Sequence, residues 1–175
     1  MSESLEAIPD GSDVIVDANI FIYGLSAQSA QCNAFLGRCS REEITGITLF
    51  EVVHESTHVF MLGEAKQKGF IVGQEKPARY LAKNPERVKI LSDYWVNTAR
   101  LLSLNLLLLP METEIVETAQ AERVAAGLLT NDSLIVATMR EYGISRIATN
   151  DHLFETVAGI SVFSPTDVGT APQNT

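Results

Sequence analysis

DVIVDANIF, residues 13–21, is the stretch from which the fold can be read. Val14, Ile15 and Val16 make an uninterrupted apolar run of the length of a buried strand. Asp17 ends it just before Asn19, a residue suited to a tight turn or a helix start. A second stretch, RIATNDHLF at 146–154, repeats the pattern: Ile147 and Ala148 lead into Thr149, Asn150 and Asp151. Open α/β sheets place their ligand sites in the loops after the carboxyl ends of parallel strands, so both aspartates are predicted at one edge of the sheet. Carboxylates crowded there repel one another unless a divalent cation holds them, and without one their pKa values should rise.

Working outward, strand and helix alternate, which predicts an α/β fold: a three-layer α/β/α sandwich around a mainly parallel sheet. The spacing predicts a helix from about Asn19, a second through Ala30, Phe35 and Leu36, and a strand over 43–47. A long amphipathic helix from Thr48 to about Lys68 follows, with Glu51 in its first turn. Pro77 and Pro85 suit the first turns of two further helices, the second running on through Val88, Leu91, Trp95 and Leu102. Leu106 to Leu109, stopped by Pro110, reads as a central strand. Thr113 and Gly127 bound the next helix, and another starts near Asp132, with Thr130 and Asn131 as caps, and stops at Gly143. A strand to Thr149, a short helix after Asp151 and a last strand over 160–163 complete a single domain at 10–165, with residues 1–9 and 166–175 as tails.

The chain has 175 residues, 46% hydrophobic and 20% charged, which suits one well-buried core. Its apolar runs are too short to span a bilayer, and the acidic start MSESLEAIPD lacks the pattern of a signal peptide, so a cytoplasmic location without membrane attachment is expected. Cys32 and Cys39 lie seven apart in a predicted helix, about 10 Å by its rise, too far for a disulfide. They suit two small buried side chains.

A net charge of −9 argues against binding nucleic acid over the whole surface. Seven of the 13 basic residues nevertheless fall between positions 66 and 89, in a helical segment at about 66–103: Lys66, Lys68, Lys76, Arg79, Lys83, Arg87 and Lys89. Lys66, Lys68, Lys76, Arg79 and Lys83 are therefore candidate RNA contacts, although helices also display such charges simply as a solvated face. Tyr94 and Trp95 fit core packing better than base stacking.

Four stretches in order, DVIVDANIFIYGL, TLFEVVHE, LLTNDSLIVATMREYGI and IATNDHLFETVAGISVFSP, resemble the PIN domain, the nuclease fold of VapC-type toxins and of several RNA-processing enzymes. The resemblance places Asp17, Glu51, Asp132 and Asp151 on the family's acidic positions and Asn19 and Thr149 on its polar supports, with Ser133 in a structural role. The basic segment at 66–103 is longer than in compact toxin members. What the resemblance implies is a ribonuclease dependent on Mg2+ or Mn2+, with those four acids catalytic and metal-ligating. It also implies RNA as substrate, a homodimer, and, for a toxin, a small antitoxin that inserts a basic side chain among the acids. Hard oxygen ligands favour Mg2+ or Mn2+ over zinc.

Another pattern makes a rival claim. His54-Glu55-Ser56-Thr57-His58 fits H-E-x-x-H on a helix, the zinc site of metallopeptidases, with Glu64 or Glu75 as conceivable third ligands. Met61 and Glu64 stand where the extended pattern needs glycine and histidine. A third reading is a PIN-like module that binds RNA or a partner without cutting. It has no use for clustered negative charge. The phosphate-cradling motifs GxxxxGK[ST] and GxGxxG are absent.

Overall fold

The computed structural model describes residues 2–168. Six strands, β1 (Glu3–Ser4), β2 (Asp13–Val16), β3 (Thr45–Leu49), β4 (Leu107–Leu109), β5 (Arg146–Ala148) and β6 (Ser161–Ser164), form one sheet in the order β1-β6-β5-β2-β3-β4, with every pair parallel. The helices are α1 (Ala18–Leu25), α2 (Ala30–Ser40), α3 (Phe50–Gln67), α4 (Pro77–Ala82), α5 (Pro85–Val88), α6 (Asp93–Leu102), α7 (Thr113–Ala126) and α8 (Thr130–Glu141). Val14, Ile15 and Val16 have no solvent exposure, as a central parallel strand covered on both faces requires.

The chain steps from β2 to β3 to β4 in one direction, then returns past β2 to β5 and β6. Right-handed crossovers put the helices of the two runs on opposite faces of the sheet. The packing agrees: α1, α2, α3 and α6 lie against one another, while α7 and α8 pair separately. The reversal makes the gap between β2 and β5 a topological switch point, where a crevice opens beyond the strands' carboxyl ends.

Three local expectations are corrected. The amino-terminal residues are no tail: β1 pairs with β6, and Leu5 and Ile8 are buried in the main core, so apolar burial holds the strand to the sheet edge. At the other end Gln31 and Ser29 bond to Thr166 and Asp167, and residues 169–175 lie outside the described residues. The strand expected to be central, β4, is an edge strand pairing with β3, and leaves Leu107 and Leu108 exposed at 52% and 43%. The helix expected from Pro85 to Leu102 breaks after Val88 and restarts at Asp93. Trp95, on the outer side of α6, is exposed, while Tyr94 packs partly into a second core with Ala65, Ile71, Leu81 and Leu91.

The break before α6 has a chemical cause in Glu64. This acid is buried on α3, and its carboxylate accepts the amides of Ser92 and Tyr94, both at 2.9 Å, where α6 begins. A side chain from a neighbouring helix thus satisfies amides that have no partner in their own.

Gly46 shows how tightly α2 sits on the sheet. A methyl group there would lie 2.6 Å from the Leu106 side chain and 3.0 Å from the Cys39 sulfur. Cys39 and Cys32 are both buried free thiols. Gly46→Ala is expected to cost about 1–3 kcal/mol by overpacking, read as a lower urea midpoint. A midpoint matching the parent protein would show that α2 can move aside.

Candidate active site

Asp17 follows β2 directly, and its backbone amide still bonds to the Ala148 carbonyl, which places it where β2 and β5 end side by side. Its Oδ1 accepts the Ala18 amide at 2.6 Å, capping α1, and its Oδ2 accepts the Asn19 side-chain amide and the Thr149 hydroxyl, each at 2.6 Å. Thr149 comes from the end of β5, and its hydroxyl also accepts from Asn19 at 3.1 Å and from the Asp151 amide at 3.0 Å. Asn19 accepts the Asn150 amide at 2.9 Å. One polar network therefore stitches the ends of β2 and β5 together and fixes the Asp17 rotamer.

The other acids arrive by different routes. Asp151 caps the 3-10 turn His152–Thr156 by accepting the Leu153 amide at 2.8 Å. Asp132 lies in the first turn of α8, past the amino end, so it is not a cap; Thr130 and Asn131, expected as caps, are helical too. Together with Glu55, Asp132 and Asp151 line a cavity of about 490 Å3 that also includes Leu129, Thr130, Asn131 and Leu153. Ser133 is wholly buried; it accepts from Arg123 at 2.9 Å and donates to the Thr130 carbonyl at 2.8 Å, tying α7 to the start of α8.

The charges interact across these elements. Burial is the chief reason that the Asp17 carboxyl rises from 3.8 to about 6; bonds from Thr149 and Ala18 oppose the rise, and Glu55 and Asp132 add to it. Asp132 is likewise raised, first by burial and then by Asp151 and Glu55. A raised carboxyl was expected from like-charge repulsion, and repulsion contributes, but desolvation dominates.

Glu51 and Glu55, which share a face of α3, line neighbouring cavities. Glu55, one turn further along α3, lines the cavity of Asp132 and Asp151 and accepts from Asn131 at 3.2 Å. Glu51 lines a smaller adjoining cavity with Phe50, His54, Glu55 and Asn131. Spacing alone shows that the two glutamates share a helical face; the helix's phase against α8 decides which one meets Asp132. Asn131 offers a weaker signal, its place beside Asp132, and Leu129 and Leu153 offer none.

For a divalent cation the donor chemistry fits: hard carboxylate oxygens in a partly desolvated crevice, and a Glu51 Oε2 that is buried with no hydrogen-bond partner among the described residues. As the side chains stand, no three Asp, Glu, His or Cys groups among the described residues converge closely enough to grip an ion. The HESTH reading fares worse. His54 and His58 are exposed. Glu64 is occupied by the α6 amides and by Lys68 at 3.4 Å, and Glu75 lies on the distant basic cleft.

The network makes Thr149 a sensitive position. Thr149→Val keeps the shape but removes a bond that holds the Asp17 carboxyl down, so its pKa should climb above about 6. Carbon-13 titration of the aspartate carboxyls reads this, and an unmoved Asp17 would show that the bond has no electrostatic weight.

Comparison with known proteins accords with this geometry. The family profile described as PIN domain matches residues 14–160. The chain belongs to the PIN-domain family. A search of the curated proteins returns no match. Among solved structures, this PIN-domain chain is similar to VapC20 of Mycobacterium tuberculosis, described as a Sarcin-Ricin loop cleaving toxin. Identity is 15%, coverage 83% of this chain and 95% of that one, and the TM-score 0.55. It is similar to VapBC2 of Rickettsia felis, solved bound to a DNA fragment from its promoter, at 13% identity, 87% and 98% coverage and TM-score 0.52. A toxin–antitoxin complex from Klebsiella pneumoniae matches at 16% identity, 89% and 98% coverage and TM-score 0.50. At these identities the likeness speaks for the fold. Family membership supports a nuclease role. No helix among the described residues is long and apolar enough to cross a membrane.

Proposed function

We propose that this PIN-domain protein is a divalent-metal-dependent ribonuclease of the cytoplasm, acting as the toxin of a toxin–antitoxin pair. The observation that carries the reading is the gathering of Glu55, Asp132 and Asp151 around one cavity, close enough to Asp17 for Glu55 and Asp132 to raise its carboxyl, with a Glu51 oxygen nearby that has no hydrogen-bond partner among the described residues. Asp17 and Asp132 are the principal metal ligands, and Glu51, Glu55 and Asp151 complete the set or orient water. A bound Mg2+ or Mn2+ supplies positive charge that polarises water and offsets charge developing on the phosphate. Asn19 and Thr149 hold the Asp17 carboxylate in one orientation. One remaining carboxylate takes the proton of the attacking water as its oxygen bonds to phosphorus and one ester P–O bond breaks, and the departing ester oxygen takes up a proton from solvent water to leave as an alcohol.

The toxin reading supplies partners in turn. An antitoxin would offset the carboxylate cluster with a cationic side chain. The exposed Trp95, Val96 and Leu102 on α6 favour a covered apolar face, in keeping with a homodimer.

The test is cleavage of labelled RNA by purified protein with Mn2+, with EDTA, and with Asp132→Asn. Cleavage that needs metal and falls about 100-fold in the variant supports the reading, since several kcal/mol of charge stabilisation is at stake. RNA bound but never cut would favour the non-cleaving module. A peptidase activity lost in His58→Ala but kept in Asp132→Asn would favour the zinc reading.

A further inference from the structure

The basic segment does not spread its charge evenly. Lys76, Arg79 and Lys83 converge on one open cleft of about 490 Å3, with Gly73, Gln74, Glu75 and Tyr80 as its other walls. All three cations are exposed, and none is ion-paired among the described residues, in contrast to Arg38, Arg41, Lys68 and Arg140, which have acid partners. Glu75 lines the cleft but lies beyond ion-pair distance of them. Arg87 braces the wall, its guanidinium 5.3 Å from the Tyr80 ring centre and 5.4 Å from that of Phe70, while it donates to the Phe70 carbonyl at 2.9 Å. Of the candidate RNA contacts, Lys68 is engaged with Glu64, and neither it nor Lys66 lines this cleft.

The position is informative. The acids Glu51 and Glu55 stand at the amino end of α3, whereas α4 and α5 pack on its carboxyl end through Ala65, Ile71 and Leu81. From Glu51 to Gln67 the helix rises about 24 Å. A carboxylate cluster repels a polyanion, so a nuclease built on one must gain its hold on the substrate elsewhere. The geometry points to the Lys76–Arg79–Lys83 cleft as a second RNA-binding site, which seats backbone phosphates beyond the carboxyl end of α3, away from the acidic cavity at its amino end. This rests on the ribonuclease reading for the identity of the polyanion. It adds that RNA long enough to reach both sites is held more tightly than RNA that fills the acidic cavity alone. Tyr80 in the wall provides an aromatic surface for a base.

The experiment is fluorescence anisotropy of a labelled 20-nucleotide RNA on the full chain in EDTA, so that no cutting intervenes, over a series of NaCl concentrations. Lys76→Gln/Arg79→Gln/Lys83→Gln is compared with the parent and with Arg41→Gln/Lys89→Gln, which removes charge outside the cleft. All these side chains are exposed, and circular dichroism checks the fold. The triple variant should bind at least about 10-fold more weakly. Its plot of log affinity against log salt should flatten by about 2, at roughly 0.7 per single-strand phosphate contact. Unchanged affinity and slope, or an equal effect in the control variant, would overturn the proposal. So would a triple variant that loses only polyglutamate, since the cleft would then serve an acidic protein. Strong cleft-dependent binding with no cleavage under Mn2+ would leave the cleft standing and sink the nuclease reading instead.

Discussion

Asp17→Asn is expected to reduce RNA cleavage by about two orders of magnitude while making the metal-free protein more stable at neutral pH. The first effect follows from neutralising a proposed ligand: about 3 kcal/mol of lost charge stabilisation is about 100-fold in rate. The second follows from burial. The folded state raises the Asp17 carboxyl from 3.8 to about 6, so it holds the proton more tightly than the unfolded chain does. The stability linked to that proton is fully present below about pH 4 and is lost as the pH rises through about 6. At about 1.4 kcal/mol per pH unit, ionised Asp17 costs the fold on the order of 3 kcal/mol at neutral pH. Asn leaves one accepting oxygen for the donors Ala18, Asn19 and Thr149, and one forfeited bond returns about 1 kcal/mol. The urea stability curves of parent and variant in EDTA should therefore cross, with the parent more stable near pH 4 and the variant more stable near pH 7.5. Curves that run parallel would refute the desolvation argument; undiminished cleavage would refute the ligand role.

Glu64→Ala should be the most damaging single change outside the site, at about 3 kcal/mol. Glu64 is 4% exposed and its carboxylate holds the amides of Ser92 and Tyr94. Burial pushes its carboxyl up, but the Tyr94 and Ser92 amides and Lys68 together outweigh this and hold it below its ordinary value. The sign is opposite to that of Asp17: this stability is present above the unfolded pKa and lost as the pH falls below the ordinary carboxylate range. Alanine leaves two amides without their acceptor, at about 1–1.5 kcal/mol each, and opens a cavity. Glu64→Gln, which keeps one oxygen, should cost roughly half as much. Urea denaturation gives the totals, and hydrogen exchange should quicken first at the start of α6. A change below about 0.5 kcal/mol would mean that α6 finds its cap elsewhere.

Some features were legible in the chain because they depend on near neighbours. The apolar run Val14–Val16, its end at Asp17, and the repeat of that pattern at Ile147 to Asp151 follow from local propensity and from what parallel strands do at their carboxyl ends. Others depend on partners far along the chain. Leu107 and Leu108 read as core, but among the described residues no strand pairs with the far side of β4. Trp95 carries the apolar bulk of a core residue on a helix whose inner face is taken by Thr98 and Leu101.

By itself, the amino-acid sequence determined the alternation of strand and helix, the parallel sheet, and the placing of Asp17 and Asp151 where strands end, since each is set by residues a few positions apart. Only the tertiary structure decided that Glu55 rather than Glu51 lines the cavity of Asp132 and Asp151, that Leu5 and Ile8 lock β1 to the sheet, and that Lys76, Arg79 and Lys83 surround one cleft. Those outcomes rest on the rotation of one helix against another and on the burial available at a sheet edge, which are properties of packing between segments distant in the chain.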